Sequence, residues 1–158
     1  MQSFQLKSIV ATAAAAVMSL SLFAPRAQAD EIVVTAGSTG AFEVVCQTFL
    51  KPGDEVISFI PFYPYHRNAL LRFEATSRYV PLKAPNWEID FAALENAFTP
   101  RTKFLLLTTP NNPTGKVYGR EELEQIAKLC IKHDIFVVTD EVYEYITYPG
   151  HEHISMAS

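Results

Sequence analysis

From residue 31 onward, short apolar runs alternate with longer stretches whose apolar positions recur every three or four residues. "EIVVTAG" (31–37) is a β-branched run stopped by Gly37 and predicts a first strand. "AFEVVCQTFL" (41–50) predicts a helix, apolar on most sides, that Lys51-Pro52-Gly53 ends. "DEVISFIPFY" (54–63) predicts a second strand, broken by Pro61 and Pro64, and "ATSRYVPL" (75–82) a weaker third. In "WEIDFAALENAF" (87–98), Asp90 is placed to cap a helix with Phe91, Leu94 and Phe98 on one face. "TKFLLLTT" (102–109) has the continuous apolar pattern of a strand buried on both faces of a parallel sheet. "REELEQIAKLCIKHD" (120–134) is strongly periodic: Leu123, Ile126, Ala127 and Cys130 fall inward, Glu121, Glu122, Glu124, Lys128 and Lys132 outward. "IFVVTD" (135–140) predicts a last buried strand. The alternation defines an α/β fold, a parallel sheet with helices on both faces. In such sheets ligands bind beyond the carboxyl ends of the strands.

The first thirty residues follow another pattern. Lys7 precedes an apolar stretch from Ile9 to Phe23, and Ala27-Gln28-Ala29 follows it. A basic start, a short apolar core and an A-x-A site make a secretory signal peptide over 1–29, cleaved after Ala29. The apolar core is shorter than the ~20 residues a spanning helix needs. The remaining 129 residues hold 11 of the 13 basic and all 17 acidic residues, a net charge of −6. No Lys/Arg cluster marks a nucleic-acid surface. Cys46 and Cys130 lack any metal or redox spacing and are expected as small core residues.

Candidate chemistry gathers at four strand ends. Gly37-Ser38-Thr39-Gly40 opens a helix after the first strand; small residues, two hydroxyls and a helix N-terminus suit a phosphate. The same turn is also an ordinary strand-to-helix connection and lacks both G-x-G-x-x-G and a P-loop lysine. Tyr63, held between prolines in "PFYPYH", offers a ring to stack on a flat cofactor, or simply a core aromatic. Asn112, in Asn111-Asn112-Pro113-Thr114-Gly115, offers an amide to a phenolate or carboxylate. Pro113 excludes glycosylation there. Asp140, the acid in "DEVY", can hold a ribose, a metal or a cationic ring nitrogen, with Tyr143 following on the same side of a starting turn.

"NNPTG" followed by "DEVYE", with the Gly-Ser-Thr-Gly turn upstream, resembles the class I/II aminotransferases that use pyridoxal 5'-phosphate, the fold type I enzymes. "YPGHEH" (148–153) and "IPFYPYH" lean towards the kynurenine/glutamine transaminase branch. The resemblance spans roughly residues 31 to 158 and implies that 30–158 is part of the three-layer, parallel-sheet large domain. It implies that Gly37, Ser38 and Thr39 bind the cofactor phosphate and that Tyr63 stacks on the pyridine ring. It implies that Asn112 and Tyr143 hydrogen-bond the 3′-oxygen and that Asp140 pairs with the ring nitrogen. An amino acid and a 2-oxo acid are the implied substrates, and a homodimer the implied assembly.

The pattern departs from the family beyond "DEVY". No lysine follows Lys132 and no arginine follows Arg120, so the Schiff-base lysine and the arginines for phosphate and substrate carboxylate are missing. The expectation is a fragment, cut at both ends and inactive alone, with no catalytic residue of its own and no metal site. Lys116 is expected to face solvent from its loop, and His151 to His153 to lie in a mobile tail. Alternatives are a non-catalytic exported binding domain, a fragment of a pyridoxal-phosphate-dependent C–S β-lyase, and a nucleotide-binding doubly wound domain. Use of the leader would place the protein in the periplasm or outside the cell, where the family is otherwise cytoplasmic.

Overall fold

The computed structural model describes residues 8–11 and 32–158. The rest of the leader-like segment lies outside the described residues. Among the described residues six strands form one sheet in the order β1-β6-β5-β2-β3-β4. They are β1 (Ser8–Ala11), β2 (Glu55–Ile60), β3 (Thr76–Lys83), β4 (Glu88–Ile89), β5 (Thr102–Thr108) and β6 (Phe136–Asp140). All neighbours run parallel except β4, a two-residue antiparallel edge on β3. The helices are α1 (Gly37–Phe49), α2 (Pro64–Arg72), α3 (Phe91–Ala97) and α4 (Arg120–Lys132).

Alternation along the strands divides the interior into two cores, because successive side chains point to opposite faces. Val56, Phe104, Leu106 and Val138 pack with Phe42, Val45 and Cys46 of α1 and Ala69 and Leu70 of α2. Ile57, Leu105, Leu107 and Val137 face Leu94 and Ala97 of α3 and Leu123, Ile126 and Cys130 of α4. The result is the expected three-layer α/β arrangement. Cys46 and Cys130 are fully buried in different cores, on opposite sides of the sheet, and both are free thiols. Burial pushes each thiol up to about 12, that of Cys46 with a further contribution from the Glu43 charge.

Several elements differ from the sequence reading. Ile32 to Thr35 form no strand, and Ile32, Val33 and Val34 are exposed. β-branching favours a strand only where a neighbour completes the ladder and a face is buried, and the place beside β6 is taken by β1 instead. Four residues of the segment read as a leader thus sit in register with β6, Ser8 opposite Val137 and Ala11 opposite Asp140. α1 begins four residues early, at Gly37, so the Gly-Ser-Thr-Gly stretch is its first turn. The second strand stops at Ile60, and Pro64 starts a helix that the sequence reading missed. Proline suits the first helical position, where its missing N–H has no partner to lose. Asp90 caps α3 as expected, accepting from the Ala93 N–H at 3.0 Å.

Candidate functional site

The chain passes from β2 outward to β3 and returns on the other side of β2 as β5. This reversal falls at the carboxyl ends of β2 and β5, the place where open parallel sheets bind ligands. β6 borders it. Thr108 is opposite Asp140 in the register, and the Thr109 N–H donates to the Asp140 carbonyl at 3.0 Å.

His66 is the hub of the site. It is buried in the first turn of α2, with Nε2 3.1 Å from Asp140 Oδ2. The Val142 N–H donates to the other carboxylate oxygen at 3.3 Å. Asp140 is only 8% exposed, so these donors replace the water it has lost. Among the described residues no other donor reaches its side chain, and a carboxylate has further lone pairs that can accept from a cationic N–H. The Tyr63 ring stands edge-on to His66 with centroids 5.5 Å apart, and Tyr65 stacks on Tyr63 at 5.2 Å. Phe42 of α1 meets His66 at 4.9 Å. Tyr63, Asp140 and the first turns of α1 are therefore joined through one histidine. Sequence reading passed over His66 because Pro64 looked like the end of a strand; the signal available was proline at N1 followed by His66, Ala69 and Leu70 at helical spacing.

The N-terminus of α1 carries no side-chain cap and no acidic residue in its first turn. Its first N–H groups have no intrahelical partner, and the helix dipole favours an anion there. Gly37 has φ +73° with open space around its missing Cβ, a conformation that glycine adopts without strain. The Ser38 and Thr39 hydroxyls have no hydrogen-bond partner among the described residues.

Of the two asparagines after β5, Asn111 is structural. It is buried, and its Oδ1 accepts from the Thr114 N–H at 3.3 Å and the Thr114 hydroxyl at 2.9 Å. Its backbone binds the Lys116 carbonyl and the Gly115 N–H. Asn112 is half-buried, and its amide has no partner among the described residues. Lys116 does not face solvent. Its side chain is 8% exposed, donates to Glu122 Oε1 at 2.8 Å, and lies 5.0 Å from the Tyr118 ring centroid. Glu122 also accepts from the Gly119 N–H at 3.2 Å, so the loop is fastened to the start of α4. Tyr143 lies in the turn after β6, half-buried, its hydroxyl also without a partner among the described residues. Asn112 and Tyr143 thus each follow by three residues one of a hydrogen-bonded pair, Thr109 just past β5 and Asp140 at the end of β6.

An α/β sheet with an aromatic ring and a buried carboxylate beside its carboxyl edge has the architecture of a ligand-binding α/β domain. A model of the family "Aminotransferase class I and II" matches residues 4–157, and the chain belongs to that family. It is 42% identical over 139 residues to kynurenine–oxoglutarate transaminase 3 of Rattus norvegicus, covering 82% of this chain and 31% of the relative. Over 138 residues it is 42% identical to kynurenine–oxoglutarate transaminase 1 of Homo sapiens, covering 80% and 33%. Among solved structures, cystalysin from Treponema denticola, described as containing a pyridoxal 5'-phosphate cofactor, superposes with a TM-score of 0.78 at 32% identity. That match covers 82% of this chain and 34% of cystalysin. The chain spans about a third of the length of these relatives. The family match begins at residue 4, inside the segment with the leader pattern.

Proposed function

We propose that this chain forms the cofactor-binding part of an aminotransferase that uses pyridoxal 5'-phosphate to move an amino group between an amino acid and a 2-oxo acid. The observation that carries this reading is the buried Asp140 carboxylate, oriented by His66 at the carboxyl edge of the sheet. When bound, the cofactor supplies an electron sink for the substrate's Cα carbanion. The residues present fit it. The uncapped α1 turn at Gly37, Ser38 and Thr39 binds the phosphate, and Tyr63 stacks on the ring. Asn112 and Tyr143 donate to the 3′-oxygen through groups that have no other partner among the described residues. Asp140 holds the proton on the ring nitrogen, since a carboxylate beside a cation favours the charged form.

None of the lysines considered as substitutes is placed for a covalent role. Lys116 is tied to Glu122 and Lys132 to Glu95, and Lys128 is exposed on α4. The chain by itself is expected to bind the cofactor non-covalently and not to turn over. The leader pattern supports export, which would place the protein in the periplasm or outside the cell.

Titration with pyridoxal 5'-phosphate, followed by cofactor absorbance and fluorescence, tests the reading. Saturable binding that Asp140→Ala weakens by about tenfold or more agrees with one lost charge-assisted hydrogen bond. Binding indifferent to Asp140→Ala would overturn it.

A further inference from the structure

Asp140 and Glu141 leave the end of β6 towards opposite sides. Asp140 turns to His66 on α2, whereas Glu141 turns to the last segment of the chain, which packs in the α3/α4 core through Met156. Glu141 is 2% exposed. Its Oε2 accepts from His153 Nε2 at 3.1 Å and its Oε1 from the Ser155 hydroxyl at 3.0 Å. His153 is itself nine-tenths buried, so this segment is anchored rather than a mobile tail. Both carboxylate oxygens are engaged. The Glu144 carboxylate comes within 4.8 Å of this knot.

We infer that Glu141 is a positioning residue for the cofactor site: gripped by His153 and Ser155, it closes the base of the 141–155 segment and fixes the turn that carries Tyr143. This rests on the cofactor reading above. The turn's own ties are few. The Val142 N–H donates to Asp140 Oδ1 at 3.3 Å, the Glu144 N–H to the Glu141 carbonyl at 3.0 Å and the Ile146 N–H to the Tyr143 carbonyl at 2.8 Å. Tyr145, Ile146 and Tyr148 beyond it are largely exposed, so local packing there adds little. A turn with three short-range hydrogen bonds and few buried contacts opens readily unless its ends are held. The Glu141 clamp holds them, because it joins residues 12 and 14 positions apart. Loss of the clamp frees the Tyr143 hydroxyl to wander, and a donor that must be ordered at binding gives a weaker bond than one already in place.

The test uses Glu141→Ala and Glu141→Gln in the full chain, alone and with Tyr143→Phe. Amide exchange at Glu144 and Ile146 is expected to quicken at least tenfold in Glu141→Ala, with β5 and β6 amides unchanged. Cofactor affinity should fall about tenfold, and the absorbance-monitored titration of the bound 3′-hydroxyl should move to higher pH. Glu141→Gln, which can still accept from His153 and bond Ser155, should restore most of both. In the Tyr143→Phe background, Glu141→Ala should add little further loss. If Glu141→Ala does not fold, Ser155→Ala removes one grip and should give a smaller change of the same kind. Unchanged exchange at Glu144 and Ile146, or losses that multiply with Tyr143→Phe, would overturn the inference while leaving the cofactor reading intact. Absence of saturable binding by the wild-type chain would overturn that reading and the inference with it.

Discussion

The Asp140 carboxylate receives donors from two directions, the His66 ring and the Val142 N–H. Replacing His66 with Phe keeps a ring of similar size against Phe42 and Tyr63 but removes the donor. The buried carboxylate then loses a partner, and cofactor affinity is expected to drop roughly tenfold in a fluorescence titration, with less change in melting temperature. Glu55 shows a second buried carboxylate with a purely structural task. The Thr99 hydroxyl, then the Arg101 and Arg78 guanidinium groups, hold it below its ordinary value of 4.5, against the opposing effect of burial. A group whose folded value lies below its unfolded value stabilises the fold above the unfolded value. That contribution is lost as pH falls through the folded value. Melting temperature should therefore fall more steeply between about pH 5 and about pH 3 in the wild type than in Glu55→Gln.

α4 shows how much a single element's pattern can carry. Leu123, Ile126 and Cys130 are buried as their spacing requires, and Glu124 and Lys128 are exposed. Ile126→Ala should cost about 2–5 kcal/mol in chemical denaturation, and Glu124→Ala no more than about 0.5 kcal/mol. The same periodicity made α4, β5, β6 and the Asp90 cap legible from sequence, because each depends on neighbours within a few residues. α2 was hidden because one proline can end a strand or begin a helix, and only the tertiary contacts of His66 and Leu70 decide between them. The run 31–37 differs for the complementary reason: Ile32, Val33 and Val34 have no adjacent strand among the described residues. Asp140, Asn112 and Tyr143 were recognisable as motif residues. Glu141, His153 and Lys116 were not, since their partners lie far along the chain or behind a turn that hides their burial.

For the molecule as a whole, exposed apolar surface sets behaviour in solution. Tyr145 and Tyr148 are more than four-fifths exposed and Ile146 two-thirds, while Ile32, Val33 and Val34 are bare on the other side of the site's sequence. Such clusters mark surfaces that associate. The chain is expected to self-associate at micromolar concentration in light scattering, and Tyr145→Ser with Tyr148→Ser to reduce it; a sharply melting monomer would count against this. The strand Ser8–Ala11 bears on a different matter, the order of events in the cell. On the export reading proposed above, the leader segment would have to be handed over before Ser8 to Ala11 join the sheet, since Ala11 lies opposite Asp140 once the sheet has formed. Folding and export would then compete for the same segment. Fast folding would yield an intact chain with the edge of β6 covered, and fast cleavage would yield a chain beginning at Asp30 whose β6 edge is open for another strand to join. A core substitution that slows folding, such as Ile126→Ala, should therefore raise the fraction of product lacking residues 1–29, read directly from intact mass.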